Sequence, residues 1–68
     1  MVQHNLIAML RAIVVIWFDS LEGQDCKTVF VDATSERLIR KMADKWVKDE
    51  RATEYTIQSI ERIKGSLL

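Results

Sequence analysis

The chain has 68 residues, ten Lys and Arg against ten Asp and Glu, and a pI near 6.6. Its length allows one small domain, and its charge balance excludes both a strongly basic phosphate-binding module and an acidic nucleic-acid mimic. A single cysteine, Cys26, and a single histidine, His4, exclude an internal disulfide and a Cys/His metal cage, so stability must come from packing or from a partner chain.

The whole chain is read as a single domain, with residues 1–10 an N-terminal extension or short helix and residues 11–64 the core. Leu6, Ile7 and Leu10 suit a helical turn or an extension of the first strand equally well. Leu6 to Phe18 is apolar apart from Arg11, yet its 13 residues are too few to span a bilayer as a helix. No Lys or Arg precedes that run and no small-residue cleavage site follows it before Asp19, which speaks against a signal peptide. A cytoplasmic protein without membrane contact is the expectation.

Ala12 to Phe18 is continuously β-branched, aromatic or small, the composition of a strand buried on both faces. Ser20 to Asp25 reads as a hairpin loop with Gly23 free to take positive φ, and Lys27 to Asp32 as the second strand. From Ser35 to Lys48 the period changes. Leu38, Met42 and Trp46 form one row at four-residue spacing, and Ile39, Ala43 and Val47 form the next, so together they predict one apolar helical stripe. Thr34 or Ser35 is placed to cap this helix, with Glu36 in its first turn. Thr53 to Lys64 is ambiguous: Ile57, Ile60 and Ile63 fit one side of a helix, whereas Tyr55 to Ile60 has strand composition. A strand is favoured, because a two-stranded hairpin under one helix makes a poor sheet.

These elements assemble as an α+β fold, a β-β-α-β chain with a three-stranded antiparallel sheet in the order 2-1-3 and the amphipathic helix across one face. A right-handed crossover carries the chain from the second strand to the third, and the most hydrophobic strand then takes the centre. Pairing the hairpin symmetrically sets Ile16 against Val29 and Val14 against Val31. Ala12, Val14, Ile16, Val29 and Val31 then face the helix, while Ile13, Val15, Trp17, Thr28 and Phe30 face away. One helix cannot cover two faces. The second is closed either by the terminal segments (Leu6 to Leu10, or Leu67 and Leu68) or by another chain, most simply a second copy in a homodimer.

Catalytic chemistry finds little footing. His4 lies near a terminus, and Cys26 has no second histidine to activate it, so it reads as an incidental thiol. Asp19, Glu22 and Asp25 lack the ligand spacing of a calcium loop and read as a solvated acidic turn. Gly23 and Gly65 are isolated and form no phosphate loop. No cofactor and no metal are expected, and the chain is not expected to be an enzyme. On the helix, Arg37, Arg40, Lys41 and Lys45 form a solvent face supported by i, i+4 pairs of Arg40 with Asp44 and of Asp44 with Lys48. Together with Ile13, Val15, Trp17 and Phe30 they are the candidate partner-binding residues.

The run Ala12–Phe18, the short loop, Thr28–Ala33, the Asp32-Ala33-Thr34-Ser35 entry into a helix and Thr56–Ile63 resemble the small ββαβ accessory proteins of bacteriophages and mobile elements. Anti-CRISPR proteins and small inhibitors of host RNA polymerase are among them. The resemblance implies a compact, non-catalytic inhibitor or adaptor that occupies a surface of a larger host complex. It implies no particular functional residue, and the neutral charge departs from the acidic character of many such inhibitors. The alternative is a small RNA- or DNA-binding module that uses the basic helix face or the aromatic sheet face.

Overall fold

The computed structural model describes the backbone of residues 6–67 and the side chains of residues 9–63. Strand β1 (Leu6–Ser20) is followed by β2 (Gly23–Ala33), helix α1 (Glu36–Glu50) and β3 (Glu54–Leu67). Both pairings of β1 are antiparallel, and the sheet order is β2-β1-β3. The α+β architecture read from the sequence is the one observed. Leu6 to Leu10 continue β1 against β3, with Leu6 opposite Leu67, so of the two readings of this segment the extension of the first strand is the one observed, not the helical turn. Residues 1–5, His4 among them, lie outside the described region, as does Leu68.

The hairpin is tighter than its composition suggests. Ser20 stands directly opposite Gly23, leaving Leu21 and Glu22 as the turn. Ser20 Oγ donates to the Gly23 carbonyl at 2.8 Å, and Gly23 takes φ 125°, a conformation strained for any residue with a Cβ. The register is therefore Val14 opposite Val29 and Ala12 opposite Val31, two residues away from the symmetric pairing expected for a longer loop. A shift of two leaves every side chain on its own face, so the inside and outside assignments survive.

On the helix side, Ala12, Val14, Ile16, Val31 and Ala33 of the sheet and Ile39 and Ala43 of the helix are buried. Trp46 and Val47 pack partly against them, as do Tyr55, Ile57 and Ile60 of β3. Only Ile39 and Ala43 of the helix are fully buried, and of the row expected beside them only Trp46 packs on the core: Leu38 is 43% and Met42 41% exposed. They overhang the β2 side, where the sheet ends and no further described strand receives them.

Strand β3 resolves the ambiguity of its isoleucines. Ile13 pairs with Ser59 and Val14 with Ile57, so Gln58 is an extra, bulged residue. The bulge brings Ile57 and Ile60, three apart in sequence, to the same helix-facing side. Ile63 stands opposite Met9 and belongs to the other side.

Both helix ends carry local caps. Ser35, in extended conformation, accepts the Leu38 N–H at 3.2 Å, one of the orphan donors at the helix start. At the other end Arg51 adopts φ 56°, and its N–H and that of Ala52 reach the Lys48 and Val47 carbonyls at 3.4 and 2.9 Å. The Thr53 N–H then bonds the Trp17 carbonyl at 2.7 Å and starts β3 alongside β1.

Candidate functional site

Alternation along the three strands builds the second face of the sheet. Odd positions of β1 (Met9, Arg11, Ile13, Val15, Trp17) meet Cys26, Thr28, Phe30 and Asp32 of β2 and Glu54, Thr56, Ser59, Glu61 and Ile63 of β3. None of these residues belongs to the cluster beneath the helix. Ile13, Val15 and Trp17 are half-buried by their cross-strand neighbours, while Phe30 is 68% exposed. No described segment folds back across them. Trp17 is held in place: its indole N–H donates to Thr56 Oγ1 at 2.9 Å, which orients the ring along the sheet.

A charged row bounds this apolar field at one end. Arg11 sits between Asp32 and Glu61 in the register and grips Asp32 with both prongs, Nε to Oδ1 at 2.8 Å and Nη2 to Oδ2 at 2.9 Å. The hydrogen bond to Asp32, then its charge, and finally the charge of Glu61 raise the Arg11 pKa. The same hydrogen bond from Arg11 holds the Asp32 carboxyl below its ordinary value. This row was hidden in the sequence, where Arg11 looks like an interruption of an apolar run. Only the strand register sets it between two acids.

The basic residues lie on the other side of the molecule. Arg37, Lys41 and Lys45 are exposed on the solvent side of α1. Arg40 turns toward β3: its guanidinium donates to Glu36 Oε1 at 2.9 Å, and its pKa is raised by Glu36 first and then by Tyr55. The expected pairing of Arg40 with Asp44 does not form, because Glu36 claims Arg40 one turn earlier, and Asp44 makes no ion pair with Lys48 either. The eight candidate partner-binding residues therefore divide into an apolar sheet face and a basic helix face, with the sheet and the core between them. No single flat partner reaches both sets.

A third feature was not legible at all. Lys27 of β2 reaches Glu50 Oε1 at 2.6 Å and lies 5.0 Å from the centre of the Trp46 ring. Beside this cluster runs a shallow groove of about 390 Å³ lined by Met42, Lys45, Trp46, Asp49 and Glu50. Among the described residues, no three metal-ligating side chains converge. The Asp25 carboxylate is engaged locally, accepting the Cys26 N–H at 2.9 Å. No described helix is long and apolar enough to cross a membrane.

No family model matches the chain, and no curated protein or solved structure matches it.

Proposed function

We propose that this chain is a small, non-catalytic protein-binding module of the cytoplasm, an inhibitor or adaptor of the phage-accessory type that occupies a surface of a larger macromolecular complex. The observation that carries this reading is the sheet face that no described segment covers, with Ile13, Val15 and Trp17 in its floor and Phe30 standing 68% exposed. An aromatic-anchored apolar field with a charged rim suits the anatomy of a protein interface. Arg11, Asp32 and Glu61 supply such a rim, with Arg11 paired to Asp32 and Glu61 adding its charge from the other side. The face offers a nucleic acid little, since Arg11 is its one described cation and is already neutralised.

A photo-crosslinking residue placed at Ile13 or Phe30, with Lys41 as the comparison, tests this in extract of the source cell. The expected result is one defined protein adduct from the sheet-face positions and none from Lys41. Titration with single- and double-stranded nucleic acid at two salt concentrations addresses the rival class. Tight binding that weakens steeply with salt and is lost on changing Arg37, Lys41 and Lys45 would transfer the function to the helix face.

A further inference from the structure

We infer that the outer edge of β2 is a self-association edge, where a second copy pairs antiparallel about Phe30 and extends the sheet to six strands. The inference does not rest on the sheet-face reading, because it uses a different surface. Strand β2 ends the sheet and has no described neighbour on its outer side. Which of its groups point outward follows from the hairpin. Ser20 and Gly23 close the turn as a hydrogen-bonded pair, and such pairs alternate along an antiparallel ladder. The Trp17 carbonyl bonds Thr53 on the β3 side, which agrees with this phase. The outward backbone groups of β2 are therefore those of Gln24, Cys26, Thr28, Phe30 and Asp32.

These outward groups are not equally available. The Asp25 side chain already satisfies the Cys26 N–H, closing the edge at that point. Thr28, Phe30 and Asp32 follow without any such cap, and Phe30 is the middle of the three. A two-fold axis at Phe30 sets Thr28 against Asp32 of the second copy, Phe30 against Phe30, and Val29 against Val31. No like charges meet, and Asp32 is already neutralised by Arg11. An axis at Lys27 would instead set two lysines face to face.

The helix flank is self-complementary about the same axis. Helix α1 starts just after Ala33 and returns along β2 until Glu50 meets Lys27. Leu38 therefore lies toward the Ala33 end of β2, Trp46 toward the Lys27 end, and Met42 between them. The axis at Phe30 turns Leu38 of one copy toward Trp46 of the other and Met42 toward Met42. This explains why a row of large apolar residues overhangs a bare edge, with Leu38 43% and Met42 41% exposed. Because the axis stands perpendicular to the sheet, both helices stay on one side and the two open faces merge into one. Meeting face to face would instead bury the Asp32–Arg11–Glu61 row, at a cost of several kcal/mol per ion. The edge accordingly accommodates the second copy better than the face does.

Sedimentation equilibrium from micromolar to millimolar concentration tests the inference. Wild type is expected to approach twice the 7.9 kDa chain mass. Thr28→Pro removes only an outward N–H, which an edge strand tolerates, and is expected to leave a monomer with an unchanged far-UV spectrum. Met42→Lys is expected to raise the dimer dissociation constant at least tenfold, and it carries the test alone if Thr28→Pro fails to fold. Lys41→Glu serves as the control and is expected to change nothing. A wild type that is monomeric throughout overturns the inference. So does a dimer that withstands both Thr28→Pro and Met42→Lys but dissociates on Val15→Lys, which would put the second copy on the sheet face.

Discussion

Deleting Gln58 should leave the fold standing, although it removes a residue from the middle of a strand. Gln58 is the unpaired residue between Ile57, opposite Val14, and Ser59, opposite Ile13. Without it the ladder becomes regular, and Ile57 and Ile60 still share the helix side. The expected cost is within about 1 kcal/mol, the usual scale for a substitution that creates no cavity and buries no unpaired group. Deleting Thr56, two residues earlier, has no such escape. Either Tyr55 flips away from the core or the bulge is consumed and Ile57 flips instead. Losing such a side chain from the core costs about 1.5–3 kcal/mol for full burial, and less for one that is half-buried. The hydrogen bond between Trp17 and Thr56 is lost as well, adding about 1 kcal/mol. A chain of this length has only about 3–10 kcal/mol in total. The Thr56 deletion should therefore melt roughly 10–25 °C below wild type, at about 4–8 °C per kcal/mol, while the Gln58 deletion stays within several degrees. Thermal unfolding followed by far-UV circular dichroism, at one fixed protein concentration, separates the two. Equal losses for both deletions would refute the bulge and with it the face assignment of β3.

Other expectations follow from single side chains. Ile39 is the one large helix side chain fully out of solvent, so Ile39→Ala should cost about 2–5 kcal/mol by urea denaturation, and Ile39→Val about 0.5–1.5. Arg51 caps the helix at φ 56°, where glycine carries no Cβ penalty, so Arg51→Gly should raise the urea midpoint by the equivalent of about 0.5–1 kcal/mol. Asp32 titrates below its ordinary 3.8, so its pairing with Arg11 stabilises the fold above that pH and the gain is lost as pH falls through the lowered value. Asp32→Asn should accordingly lower stability at pH 7 and bring the mutant and wild-type curves together in strong acid, as read by melting across a pH series.

The parts of this fold that were legible in the sequence are those set by local composition. Ala12 to Phe18 is too apolar to be anything but the central strand, and Ser35-Glu36 before a four-residue period marks the helix start where it is observed. Face assignment was legible too, because it depends only on parity along β1 and β2. Register was not: a two-residue turn at Leu21-Glu22 and a longer loop give the same parity, and only the contact of Ser20 with Gly23 distinguishes them. The spacing of Ile57 and Ile60 mimicked a helix because a bulge has the same three-residue signature. The surfaces were legible in outline only. Ile13, Val15, Trp17 and Phe30 could be grouped by alternation, but the Asp32–Arg11–Glu61 row and the contact of Lys27 with Trp46 and Glu50 join distant segments. Nor could spacing show that Leu38 and Met42 overhang the sheet, since that depends on where the third strand lies.

The proposed binding surface requires the sheet face to be open in the free protein. Methyl and ring proton relaxation in the presence of a soluble paramagnetic probe measures that directly. Ile13, Val15 and Phe30 should broaden strongly, while Val14, Ile16 and Ile39, buried beneath the helix, should not. Equal protection of the two sets would mean that the chain or its copy already covers the face, and the proposed binding surface would not exist.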